Sequence, residues 1–418
     1  MKASKYNTLV SMENDNKLLY NTLSRKYISY NNDNENLIMN LINNINKDEF
    51  KLEEVNFVKE MVYKGIIVKD DIDELDKIKF NEGKAKFQDQ CFFLAIQPTL
   101  DCNFRCVYCW EEHKNIHMDD ITAEKIIKFV ENISKNVRNI EIGWFGGEPL
   151  LEFDRILMLT EKFKEICKRN GCSYRSSMVS NGYLFTDEII DKIPELCLSR
   201  IQITLDGIAK YHNKKRPLKN GDGSYEKIKE NVLKLSYKDI YMNLRINVDE
   251  ENYDHITELF DIIPENNRYK VSVYLCNVFQ SEKRMSLFNI YRNAISKGYK
   301  YFDTKNTYFT CEVCTKNGFT IEPTGRIVPC SMVAENGGYY GHLDDKGHPI
   351  IENQSFYLKI KNISAFDNEM CKKCIQLPMC MGGCKYSRYK NCNICNGKGP
   401  DELSLEEKIR LHYYSDNY

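Results

Sequence analysis

No sign of charge dominates this chain. Its 59 Lys and Arg residues stand against 60 Asp and Glu, leaving a formal net charge of −1 over 418 residues. That balance gives no electrostatic footprint for nucleic acid or an anionic membrane surface. No apolar run reaches the ~20 residues needed to cross a bilayer. The opening residues, Met1-Lys2-Ala3-Ser4-Lys5, lead into polar sequence rather than an apolar signal core. The expectation is a soluble, cytoplasmic protein with neither a nucleic-acid nor a membrane partner. There is no low-complexity tract and no clear long-period repeat. With 42% hydrophobic and 28% charged residues, the chain can bury sizeable cores, and its length suggests two to three domains.

Cysteine is what the chain has in quantity. Seventeen cysteines in a cytoplasmic protein read as metal ligands rather than disulfides. One group lies at Cys102, Cys106 and Cys109, and a dense group runs from Cys311 to Cys395. Cys91, Cys167, Cys172, Cys197 and Cys276 are scattered and read as packed thiols.

Hydrophobic periodicity divides the chain into three regions. In residues 1–85, Leu37, Ile38, Leu41 and Ile42 share a helical face, as do Val55, Val58, Met61 and Val62. Gly65-Ile66-Ile67-Val68 then leads into Asp70-Asp71, and the pattern suggests a small winged-helix-like unit. Residues 86–300 alternate strands with amphipathic helices. Strands are predicted over 92–100, 140–144, 174–179, 200–205, 240–247 and 269–276. Helices are predicted around Ile126 to Val137 and over 153–170. Six such units imply an α/β fold, a partial (β/α)6 TIM-like barrel with its chemistry at the strand C-terminal ends. Residues 301–418 are Cys- and Gly-rich with little core of their own. They are expected to be organised by metal, with a short terminal helix around 405–411.

The first cysteine group is C-x3-C-x2-C, directly after the first strand of the alternating region. Three thiolates in one loop can hold three irons of a [4Fe–4S] cube and leave the fourth open. A structural zinc site needs four ligands in a closed tetrahedron, and no fourth thiol or imidazole completes this set. Thr99-Leu100-Asp101-Cys102-Asn103-Phe104-Arg105-Cys106-Val107-Tyr108-Cys109 resembles the signature of radical S-adenosylmethionine (SAM) enzymes. Gly146-Gly147-Glu148-Pro149, after the second strand, resembles that family's GGEP motif. Ser180-Asn181-Gly182 and Thr204-Leu205-Asp206-Gly207, after the third and fourth, resemble two further family segments. The resemblance implies a SAM-cleaving cluster on Cys102, Cys106 and Cys109. It implies SAM contacts from Gly146, Gly147, Glu148, Ser177, Ser180, Thr204 and Arg216. His212-Asn213 stands where the family often has His-Asp.

The later cysteines read Cys311-x2-Cys314, Cys330, Cys371-x2-Cys374-x5-Cys380-x3-Cys384 and Cys392-x2-Cys395. They resemble the SPASM extension of peptide-modifying radical SAM enzymes, which implies two auxiliary [4Fe–4S] clusters and three in all. One would take Cys311, Cys314, Cys330 and Cys384. The other would take Cys371, Cys374, Cys380 and either Cys392 or Cys395. A pair of zinc ribbons is the alternative for these thiols. Residues 1–85 resemble the PqqD-like domain that binds a leader peptide by strand addition. Together these imply a radical SAM maturase of a ribosomally made precursor peptide, forming a Cys thioether and drawing electrons from a low-potential donor such as ferredoxin or flavodoxin. Carbon–carbon crosslinking competes, as does epimerisation, for which Cys276 is the candidate hydrogen donor. Sulfatase maturation is disfavoured because Ser331 replaces the Asp usual after the Cys matching Cys330. A non-catalytic metal-binding scaffold is the reading from another class.

Overall fold

The computed structural model describes residues 1–13, 15–45, 52–301, 311–391, 395 and 401–417. Cys392 lies outside the described residues.

The chain opens with β1 (Lys2–Ala3) and a three-stranded antiparallel meander, β2 (Asn7–Ser11), β3 (Lys17–Asn21) and β4 (Lys26–Tyr30). Helices α1 (Asn32–Asn43) and α2 (Leu52–Tyr63) follow, then β5 (Ile67–Val68), which pairs with β1. The Asn31 side chain caps α1 by accepting from the Asn34 N–H. Both predicted helices are present, and a meander that the apolar pattern did not suggest precedes them. β3 is buried on both faces. Leu19 packs with Ile28, Ile38, Leu41 and Met61 beneath the helices. Leu18 and Tyr20 pack on the other side against Met379 and Ile409, from the far end of the chain. Helix α3 (Glu74–Phe87), capped by Asp73 onto the Leu75 and Asp76 N–H groups, then leads to the central sheet.

That sheet begins with six parallel strands in sequence order: β6 (Cys91–Ile96), β7 (Asn139–Trp144), β8 (Ser173–Ser180), β9 (Leu198–Thr204), β10 (Tyr241–Val248) and β11 (Val271–Asn277). The helices between them are α4 (Asp120–Ser134), α5 (Phe153–Asn170), α6 (Asp187–Asp191), α7 (Ala209–Lys215) and α8 (Tyr225–Ser236). All six strands fall where the apolar pattern predicts. Along β6 and β7 burial alternates, so that Phe92, Leu94, Ile96, Ile140, Ile142 and Trp144 enter one continuous core. Their neighbours Phe93, Glu141 and Gly143 face the opposite side of the sheet. There Glu141 pairs with Arg175 at 2.5 Å.

The sheet does not stop at the sixth unit. After α9 (Phe288–Ser296) and the two-residue β12 (Lys300–Tyr301), the chain returns to the opposite edge. There β13 (Gly318–Ile321) adds in parallel to β6, and β14 (Arg326–Val328), β15 (Gly341–Leu343) and β16 (Pro349–Ile351) continue antiparallel. Eleven strands form one open sheet. Val313, Ile321, Ile327, Tyr340, Leu343, Ile360 and Leu411 share the core of the six-strand region, so the Cys-rich region has substantial apolar packing. Around it lie α10 (Ser331–Glu335), α11 (Gln354–Asn362), α12 (Glu369–Lys372), α13 (Leu377–Cys380), α14 (Lys385–Lys390) and α15 (Leu405–Asn417). The terminal helix is longer than the pattern around 405–411 suggests.

Candidate active site

The Cys102–Cys109 loop leaves the C-terminal end of β6, and two other segments hold it. Its base closes where Leu100 N–H donates to Ile116 O at 2.9 Å. Its outer side lies along 215–219: Arg105 N–H donates to Pro217 O at 2.9 Å, Val107 N–H to Lys215 O at 3.0 Å, and Lys219 N–H to Asn103 O at 2.8 Å.

Gly146 and Gly147 lie against the start of the same loop. Gly147 N–H donates to Thr99 O at 3.3 Å and Glu148 N–H to Asp101 O at 2.9 Å. A Cβ on Gly147 would stand 2.1 Å from Asp101 O, and one on Gly146, at φ +121°, 2.5 Å from Thr99 O. Only glycine allows this approach. Glu148 is fully buried. Its carboxylate accepts from Ser180 Oγ at 2.8 Å, Asn181 N–H at 2.7 Å and Leu150 N–H at 3.1 Å. It therefore ties the turn after β7 to the end of β8. Burial raises its carboxyl to about 7 against those three bonds. Asn181 Nδ2 in turn donates to Asn103 Oδ1 at 2.7 Å inside the cysteine loop.

A second network, not foreseen from the sequence, fixes the loop from the β9–β10 side. Tyr108 Oη donates to Asp206 Oδ2. Arg216 Nη1 and Asn247 Nδ2 each donate to Tyr108 Oη at 3.0 Å. Asn247 N–H donates to Asp206 Oδ1 at 2.6 Å. Buried His212 accepts from Asp206 N–H through Nδ1 at 3.1 Å, and Ser224 Oγ lies 3.1 Å from its Nε2. Burial and then Arg216 hold His212 well below its ordinary value, so it is neutral. Asn213 Oδ1 accepts from the Ser224 and Tyr225 N–H groups at 3.0 and 2.9 Å, supporting the start of α8. An Asp at this place would offer the same acceptor, which accounts for the departure from His-Asp.

The structure gathers most of the residues singled out from the sequence. Ser177 is partly buried on β8 and Thr204 buried at the end of β9. Arg216 is 6% exposed, with its guanidinium 5.5 Å from the Phe104 ring and its Nε lacking a hydrogen-bond partner. Cys276, buried near the end of β11, stands in register with Asn247. His117 pairs with Glu152 at 2.7 Å.

Three thiols on one loop match the donor set of an iron–sulfur cube. Burial pushes Cys102 up to about 12 and Cys109 to about 11, and both lie beside Cys106. The partnerless Nε of Arg216, beside Cys106, offers a buried donor to an anionic ligand. In the later group, Cys311 feels Cys314 and Cys330, and Cys330 feels Cys384. Separately, Cys374 feels Cys380, Cys395 and Cys371. Cys384 thus faces the first set although it follows Cys380 in sequence.

Residues 96–263 match the family model described as the radical SAM superfamily, and the chain carries a radical SAM domain there. Domains of this class bind SAM and a [4Fe–4S] cluster. The chain is 34% identical over 134 residues to the uncharacterised protein MJ0907 of Methanocaldococcus jannaschii, spanning 31% of this chain and 44% of that one. It is 23% identical over 373 residues to the radical SAM cyclopropyl synthase TigE of Paramaledivibacter caminithermalis, covering 79% and 76%. It is 24% identical over 342 residues to a cysteine-type anaerobic sulfatase-maturating enzyme of Clostridium novyi, covering 73% and 90%. Among solved structures, Streptococcus suis SuiB bound to the precursor peptide SuiA has the same fold over 97% of this chain and 99% of its own, with TM-score 0.52 and 16% identity.

Proposed function

We propose that this protein is a radical SAM maturase that modifies a ribosomally made precursor peptide, forming Cys thioether crosslinks. The observation that carries the reading is one continuous sheet bearing a three-thiol SAM loop at β6 and two further cysteine gatherings beyond β12. The fold shared with SuiB bound to the precursor peptide SuiA supports a peptide substrate.

When bound, the cluster supplies the electron that cleaves SAM into methionine and a 5′-deoxyadenosyl radical able to take a C–H hydrogen. The chain's own part is positioning. Cys102, Cys106 and Cys109 would hold that cluster. Gly146 and Gly147 pack against the start of their loop and would bring backbone close to SAM. Glu148 and Ser180 hold the turn rigid, and Arg216 offers its Nε to the carboxylate. Tyr108, Asp206 and Asn247 keep the loop from shifting. Thr204 and Ser177 line the same end of the sheet. Joining a C–H carbon to a Cys sulfur removes two hydrogens, one as an atom and one as a proton with an electron. The remaining electron needs an acceptor, and auxiliary clusters on the two cysteine sets beyond β12 would supply one. A low-potential ferredoxin or flavodoxin would supply the reducing electron.

The leader segment of the precursor would bind the N-terminal meander, whose outer strands β2 and β4 have no further strand partner among the described residues. Co-expression with a neighbouring Cys-rich precursor and mass spectrometry tests the reading. The expected product has lost two hydrogens per link and no longer alkylates at the linked Cys. A product that still alkylates at every Cys points to carbon–carbon crosslinking. An unchanged mass with inverted residues points to epimerisation, for which Cys276 is the hydrogen donor to replace.

A further inference from the structure

Behind Cys314 lies a group of buried charges that the SAM site does not use. Lys86 on α3 and Lys385 on α14 are 6% and 2% exposed. Lys86 Nζ donates to Ile363 O at 2.9 Å and Lys385 Nζ to Met381 O at 2.7 Å. Lys361, in the last turn of α11, donates to Thr315 O at 2.7 Å and Gly318 O at 2.8 Å. The rings of Phe319, Tyr340 and Tyr357 surround its ammonium at 5.0, 5.6 and 5.7 Å. One carboxylate serves two of them. Glu82 stands 3.5 Å from Lys86 and 3.8 Å from Lys385, and Ser364 Oγ donates to it at 2.6 Å. Lys361 has only carbonyl oxygens and ring faces as neutral partners. Lys385, Lys86, Lys361 and Glu82 are the charges acting on Cys314.

Three ammoniums against one carboxylate leave surplus positive charge away from water. A buried cation without a counter-charge is unfavourable. Thiolates at Cys311, Cys314, Cys330 and Cys384, once they ligate iron, would supply negative charge beside these ammoniums. A cube on four thiolates carries net negative charge, which grows when it is reduced. Nearby cations therefore favour the reduced form. The other set differs. Buried Arg388 donates to Cys371 Sγ at 2.8 Å, and Cys395 is exposed.

We propose that Lys361, Lys385 and Lys86 form a cation cage that compensates an iron–sulfur cluster on Cys311, Cys314, Cys330 and Cys384 and raises its reduction potential, making it the more easily reduced auxiliary site. The inference rests on the cluster reading of these cysteines and not on the peptide reaction. The experiment is a redox titration of the reconstituted full chain, followed by electron paramagnetic resonance without peptide, in a background where Cys102, Cys106 and Cys109 are replaced by Ala. Lys361→Met is expected to move the higher auxiliary midpoint to more negative potential, and Lys361→Arg to keep it near the parent value. Thermal unfolding supplies the second readout. Lys361→Met should raise the Tm of the cluster-free protein, where the cation is uncompensated, and lower that of the loaded protein. Unmoved midpoints, identical behaviour of the Met and Arg variants, or a lower Tm in both forms overturns the cage. A chain of this background that takes up no iron overturns it as well. Failure of the peptide reading leaves these outcomes unchanged.

Discussion

Glu148 shows how much one side chain decides here. The sequence marks it through its Gly-Gly-Glu-Pro setting, where it is expected to hold the SAM amine. The structure shows three hydrogen bonds to its carboxylate and no exposure. Burial raises it from 4.5 to about 7, so the folded chain holds more protons than the unfolded chain between those values. Its contribution to stability is full below about pH 4.5 and is lost as pH rises through about 7. Cluster-free Glu148→Gln is therefore expected to lose less stability than wild type between pH 5 and pH 7.5, by about 1–3 kcal/mol in urea unfolding. Equal pH slopes would count against this. Gly147 is the second such residue. Gly147→Ala places a methyl against Asp101 O and is expected to push the Cys102 loop away, at a cost on the order of 3 kcal/mol. Reconstitution should then show loss of the iron held there together with loss of SAM binding. Full iron content with tight SAM binding would show that the loop can yield.

At the scale of elements, the six parallel strands were legible because each is a short apolar alternation between amphipathic helices. The N-terminal meander was not. β3 reads as Lys-Leu-Leu-Tyr-Asn with buried residues on both sides, so its period of two is hidden, and its second apolar partner lies at Met379 and Ile409. β13 was equally hidden, because four residues become a strand only where β6 offers a free edge. The start of α8 carries a prediction. Asn213→Ala removes the acceptor for two N–H groups and is expected to cost about 1–2 kcal/mol, whereas Asn213→Asp should stay within about 0.5 kcal/mol of wild type. Chemical denaturation of both variants checks this, and equal losses would mean the side chain acts by packing alone.

Across the whole molecule, the two ends of the chain share packing. Tyr6 and Leu23 pack with Ala365, Phe366, Cys371 and Leu377, and Thr22 Oγ1 donates to Ile375 O at 2.6 Å. Removing residues 1–85 would thus uncover the ground beneath one cysteine set, so a deletion cannot report on peptide binding alone. Leu18→Ala is expected to cost about 2–5 kcal/mol and to shift one cooperative transition in calorimetry. A separate early transition for the N-terminal unit would show that the contact does not couple the two ends.

The sequence by itself determined the Cys102, Cys106 and Cys109 loop, the turn after β7 and the alternation of strands and helices. Each of these is a local pattern, written in spacing and period. Tertiary structure alone decided which distant polar groups would meet. Tyr108 finds Asp206 and Asn247, 98 and 139 residues away, and Lys86, Lys361 and Lys385 converge on Cys314 from three helices. No spacing announces such pairings, because a buried polar or charged group is satisfied by whatever the fold brings beside it.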